Sequence, residues 1–226
     1  MTSQNPHLNP LSAPPGRDPE ADVKRQVREN QMPLRLGARF ARIISWIGHP
    51  LVFVPVSLAI VVTTRLAPRV GIPILGVLFL FVIAPIAILL FAGVRSGRWR
   101  DADVSVRGER RRFYPWAIPF SAFGALTIWL MRAPAFILRG AIVTLALFVL
   151  AAIINLRLKI SLHILFAFYC AVILLRLGVI CGVSALILAL LVFWSRVFLG
   201  RHTLIEATMG GLMGIAGGIV TAWLSD

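Results

Sequence analysis

Apolar and polar positions alternate along this chain in blocks, not residue by residue. Seven apolar runs, at 43–64, 72–94, 116–131, 136–156, 163–175, 179–194 and 203–224, are separated by short polar segments. No barrel-like period of two is present, and lipid cannot satisfy free backbone groups, so each run predicts a helix. About 20 helical residues match a hydrocarbon core of roughly 30 Å. The third, fifth and sixth runs are short and must borrow flanking residues to span. The fold class expected is therefore all-α, a polytopic transmembrane helical bundle of six or seven spans.

Residues 1–34 break this pattern. They are polar and Pro-rich and lack the apolar core of a signal peptide, so they are expected to form a disordered tail, leaving 35–226 as one transmembrane domain. The 23 Lys and Arg against 9 Asp and Glu give a formal charge of +14. In a soluble protein that excess would suggest nucleic acid. Here no nucleic-acid module is visible, and the charge points to membrane lipids with anionic headgroups as partners. Cys170 and Cys181 have neither a CxxC neighbour nor a His at ligand spacing and read as core residues.

If the chain crosses at each run, the polar segments sort onto two faces. The N-terminal residues 1–42, the loop 95–115 and the links 157–163 and 195–202 share one face, with eighteen of the 23 cationic residues. By the positive-inside rule that face is cytoplasmic, and every segment with plausible chemistry lies on it.

Three groups of residues stand out there. In "SRVFLGRHTLIE", His202 and Glu206 are four apart and share a helix face, where a carboxylate orients an imidazole and raises its basicity. The bland alternative is a pair that only pins helices together. Ser195, Arg196 and Arg201 just upstream favour the chemical reading, because a guanidinium fork matches phosphate oxygens. In "KISLH", Ser161 suits an N-cap and equally an anion site at a helix start, with His163 beside it as a general acid. The loop 95–115 carries Asp101, Asp103, Arg107, Glu109, Arg110, Arg111 and Arg112, a topology signal or a phosphate clamp.

These residues resemble the type 2 phosphatidic acid phosphatase superfamily, membrane lipid phosphatases that share their core with vanadium haloperoxidases. The family's motifs are K-x6-R-P, P-S-G-H and S-R-x5-H-x3-D. Ser195-Arg196, His202 and Glu206 reproduce the third with Glu for Asp; Ser161 and His163 keep two residues of the second; "RGERRRFYP" offers arginines but no Lys for the first. "SWIGHPL" is similar to the opening helix of some bacterial members, although His49 itself reads as a packed or interfacial histidine beside the Pro50 kink.

The resemblance implies an acid phosphatase/vanadium haloperoxidase-like core in a bacterial or archaeal cell membrane. It implies hydrolysis of a lipid phosphate (phosphatidate, phosphatidylglycerophosphate or a polyprenyl phosphate or diphosphate) through a phosphohistidine. In that scheme His202 is the nucleophile, Glu206 orients it and His163 is the acid. Arg196, Ser161, Ser195, Arg107 and Arg110 bind phosphate, with no metal and no cofactor. Two other readings stay open: a lipid phosphotransferase, and a catalytically silent phospholipid-binding or transport protein on the same bundle.

Overall fold

The computed structural model describes residues 35–104 and 106–223, except the side chain of Arg107. The expected tail, 1–34, lies outside the described residues. Among the described residues every regular element is a helix and none is a strand. Five helical segments are long and apolar enough to cross a bilayer, or six if a bent pair counts as one span. Large apolar side chains such as Ile88, Phe91 and Ile187 are exposed along them, the surface expected of helices that face lipid.

The bent pair is α1 (Arg35–Ile47) and α2 (Pro50–Arg65), which meet at 50°. The run 43–64 is thus not one helix. Pro50 starts α2 at a position where its missing N–H costs nothing, and His49 caps it by accepting the Leu51 N–H on Nδ1 at 3.1 Å. The second run is continuous from Pro68 to Arg95. It comprises α3 (Pro68–Leu78), a π-helical turn (Phe79–Ile83) and α4 (Ala84–Arg95). Pro85 follows the π turn and has no N–H to bond back to Phe81, which accounts for the irregularity at that point.

α5 (Arg107–Leu130) begins earlier than the run 116–131 indicated. Arg and Glu are good helix formers, so "RGERRRF" extends the helix outward instead of remaining loop. Three of the remaining helices have the length of a span: α6 (Ala135–Ile154), α8 (Val179–Phe198) and α9 (Leu204–Trp223). Between α6 and α8 lies α7 (Leu162–Leu175), whose 14 residues reach only about 21 Å. It compensates by position. Its side chains are buried on every face, the mark of a helix enclosed by other helices.

α7 and α9 approach closely because α9 presents glycines at 210, 214 and 218 to it. A Cβ on Gly214 would lie 2.2 Å from the Leu165 carbonyl oxygen, and one on Gly210 would lie 2.8 Å from that of Ser161. Small residues at this spacing let helix backbones touch where lipid supplies no hydrophobic drive. The contact also fixes the start of α7 against the start of α9, where Ser161 N–H meets the Glu206 carbonyl at 3.4 Å. Gly214→Leu is expected to destabilise the bundle by about 1–3 kcal/mol, the usual cost of overpacking. The thermal unfolding midpoint in detergent should fall by about 2–12 °C; an unchanged transition would show that α7 and α9 can separate without loss.

Candidate functional site

The end of α8 sets up the site. Gly200 takes φ +64°, its N–H bonds to the Val197 carbonyl, and Arg201 N–H bonds to that of Arg196. This is a Schellman turn. It explains the five-residue gap between Arg196 and His202: one more helical turn, then a reversal that returns His202 beside Arg196, whose carbonyl it meets at 3.3 Å.

Thr203 then opens α9 with a capping box. Glu206 N–H donates to Thr203 Oγ1 (3.3 Å) and Thr203 N–H donates to Glu206 Oε2 (3.0 Å). The same oxygen lies 3.4 Å from His202 Nδ1, so one carboxylate caps the helix and faces the imidazole. A closer partner exists. His202 Nδ1 lies 3.1 Å from the Lys159 carbonyl, which can only accept, so Nδ1 carries the proton and Nε2 has the free lone pair. Lys159 itself is anchored through Nζ to the Arg201 carbonyl at 2.9 Å.

Burial holds His202 well below its ordinary pKa, at about 2, with the positive charges of Arg110, Arg196 and Lys159 acting in the same direction. The imidazole is therefore neutral at working pH. The folded value lies below the unfolded one, so the unfolded chain takes up a proton that the folded chain refuses. Stability from this group is complete above about pH 6.5 and falls as pH drops toward the folded value. Between pH 6.5 and 4.5, stability against unfolding in detergent should fall by up to about 1.36 kcal/mol per pH unit more in the wild type than in His202→Gln. Parallel slopes would contradict the depressed value.

Arg196 is almost wholly buried near the end of α8. Its Nη1 donates to Ser45 Oγ (2.7 Å) and to Asp103 Oδ2 (2.6 Å), while Nε and Nη2 are buried without a partner. The other carboxylate oxygen of Asp103 lies 3.3 Å from His163 Nε2 and 3.8 Å from His49 Nε2. Neither contact is a short, aligned hydrogen bond, and His163 Nε2 stays unsatisfied. Burial works to raise the Asp103 pKa, but the His163 ring and the Arg196 guanidinium overcome it and hold the carboxyl well below the usual range. Next to it, Val104 has φ +47°, a strained backbone for a β-branched residue. Its carbonyl accepts from Arg110 Nε at 3.0 Å, and Arg110 Nη1 reaches the Ile160 carbonyl. Buried Arg110 thus ties the loop to the segment before α7.

The arrangement brings together His202, Glu206, Arg196, His163 and Arg110. Ser161 lies at the start of α7 as its N-cap, its Oγ accepting weakly from Ile164 N–H. Ser195 is buried with its hydroxyl donated to the Val192 carbonyl of its own helix, at 2.8 Å. The Arg107 side chain lies outside the described residues. Arg201, paired with Asp101 at 2.7 Å, is half exposed at the rim.

Four contributors carry no catalytic or phosphate-binding role in the sequence reading: Asp103, named there only within the charged loop, His49, read as a packed or interfacial histidine, Ser45 and the Lys159 carbonyl. Asp103 stood among many charges in one loop. The Pro50 break after His49 was visible, but not the direction it turns the ring, which now packs edge-on against His163 with centroids 4.8 Å apart.

His49, Asp103 and His163 offer ligand atoms within 4.8 Å of one another, a spacing a cation could use. Two features favour a metal-free ionic cluster instead. The Leu51 N–H on His49 Nδ1 puts that ring's proton on Nε2, facing Asp103, and Arg196 already pairs with the carboxylate. No protein-family model, curated protein or solved structure matches the chain.

Proposed function

We propose that the chain is a membrane phosphatase that hydrolyses a lipid phosphate through a phosphohistidine on His202, in the manner of type 2 phosphatidic acid phosphatases. One observation carries this reading. Arg196 Nε and Nη2 and His202 Nε2 are buried nitrogens without a partner, although the opposite edge of each group is firmly held. Unsatisfied buried polar atoms are rare and call for a ligand. Two free donors on one edge of a guanidinium suit two oxygens of a phosphoryl group, and the neighbouring imidazole lone pair is a nucleophile.

His202 Nε2 attacks phosphorus as the bond to the leaving oxygen breaks, and His163, entering the step as the imidazolium beside the Asp103 carboxylate, gives that oxygen a proton. The imidazolium that forms on His202 keeps its Nδ1–H on the Lys159 carbonyl, with the Glu206 carboxylate alongside to balance the charge. Water then attacks phosphorus and gives its proton back to His163, the P–N bond breaks, and phosphate leaves. Arg196 offsets the charge on the equatorial oxygens throughout, a preorganised role that needs no reorganisation at the moment of reaction. Asp103 fixes the far edge of Arg196 and stands beside His163. The charge distribution along the chain supports a cytoplasmic site.

The direct test is phosphate release by purified protein from phosphatidate, phosphatidylglycerophosphate and polyprenyl phosphates with excess chelator present. Turnover of at least one substrate, undiminished by chelator, is expected. No release from any of them would remove the hydrolase reading, and a strict magnesium requirement would point back to the His49, Asp103 and His163 cluster as a cation site.

A further inference from the structure

The segment "SWIGHP", residues 45–50, reaches into the site in a way that the phosphohistidine scheme leaves unused. Gly48 sits so close to α8 that a Cβ there would run into Val192, which stands one turn before Arg196 on the same helix. Ser45, three residues before Gly48, accepts from Arg196 Nη1 at 2.7 Å. The break between α1 and α2 is thereby fixed against α8 beside the guanidinium, and His49 is the residue it turns inward.

His49 is held at both edges of its ring. Nδ1 accepts the Leu51 N–H at 3.1 Å, which leaves the proton on Nε2. Nε2 faces Asp103 Oδ1, 3.8 Å away, with the Ala102 backbone beside it. The ring also packs edge-on against His163, with the two planes at 88°. The oxygens of Asp103 therefore have different neighbours: Oδ2 belongs to Arg196, and Oδ1 lies between the two histidines. His163 Nε2 has no short hydrogen bond to set its direction, so the carboxylate oxygen and the His49 ring set it. Capping α2 does not by itself call for a histidine, because Asn, Asp and Ser are the favoured caps.

We propose that His49 is a positioning residue for the acid step, holding Asp103 Oδ1 and the His163 ring in the geometry that delivers a proton to the leaving oxygen. This rests on the phosphatase reading. Arg196 keeps Oδ2 whether or not His49 is present, so phosphate binding is not what His49 supports. A leaving group that departs without a proton has no need of the acid, and the effect of losing His49 depends on the leaving group.

Two substitutions separate the edges of the ring. His49→Asn keeps an acceptor for the Leu51 N–H but is too short to reach Asp103. His49→Gln can donate to Oδ1 but gives up the cap. Steady-state phosphate release by the purified full chain is measured on dodecyl phosphate, which leaves as an alkoxide, and on a nitrophenyl phosphate bearing a dodecyl chain, whose phenolate leaves without a proton. His49→Asn should unfold within about 2 °C of the wild type and lose about tenfold to a hundredfold in kcat on dodecyl phosphate. On the aryl substrate it should stay within about threefold of the wild type, with KM unchanged for both. His49→Gln should be less stable than His49→Asn yet faster on dodecyl phosphate. Wild-type rates of a folded His49→Asn protein on both substrates would overturn the proposal, and so would equal losses on both. If His49→Asn fails to fold, a His49→Gln protein slowed equally on the two substrates overturns it instead. No turnover of either substrate by the wild type would remove the phosphatase reading itself, and the role of His49 with it.

Discussion

His202→Ala is expected to reduce phosphate release on the order of 10⁴-fold or more while the protein still folds. A nucleophile that acts as a unit with its acid and its oxyanion ligands leaves little activity when removed. Folding should survive because the ring's principal hydrogen bond is to the Lys159 carbonyl, and its Nε2 has no partner to lose. Glu206→Gln makes the informative contrast. Gln preserves the capping box with Thr203, and the Lys159 carbonyl still sets the tautomer, so only the charge opposite the imidazolium is lost. A loss of about tenfold to a hundredfold is expected, the range typical of a group that orients and electrostatically supports a catalytic histidine. Steady-state rates on the same substrate separate the two. Equal losses would mean that Glu206, not the carbonyl, holds the ring.

Asp103→Ala is expected to destabilise the protein by about 3–5 kcal/mol, the cost of leaving one member of a buried ion pair uncompensated. Arg196 is 1% exposed and would retain only Ser45. For a chain of this size that loss corresponds to a drop on the order of 10 °C in the unfolding midpoint. Asp103→Asn keeps an oxygen facing Arg196 and should recover part of the stability, yet turnover should remain low because His163 and Arg196 lose the anion between them. Thermal unfolding and activity of the two variants check this together. A folded Asp103→Ala protein with a wild-type midpoint would show that water or another group replaces the carboxylate at no cost.

The helices were legible because their cause is local. Runs of apolar residues in a chain with mean hydropathy +0.86 leave few alternatives to a membrane-crossing helix. Their ends were less so. The extension of α5 back to Arg107 depends on helix propensity in a charged stretch that a hydropathy reading assigns to loop. The break at Gly48–His49–Pro50 was readable as a kink, but not its depth or direction. Nothing in the pattern announced that α7, too short to cross a bilayer by itself, would be the most enclosed, because enclosure is a property of its neighbours and of the glycines on α9.

The site divides in the same way. The spacing of Arg196, His202 and Glu206 is a local geometry, a Schellman turn followed by a capping box, so it can be read along the chain. The partners from other segments cannot be. Asp103 reaches Arg196 across more than ninety residues, and the Lys159 carbonyl that fixes His202 has no side-chain signature.

The most direct test of a phosphohistidine on His202 is to trap it. Purified protein incubated briefly with a ³²P-labelled lipid phosphate and quenched in base should carry label that is stable to alkali, lost in mild acid and located by peptide mapping to His202. Label that maps elsewhere, or catalytic turnover with no label under single-turnover conditions while His202→Ala remains active, would contradict the account.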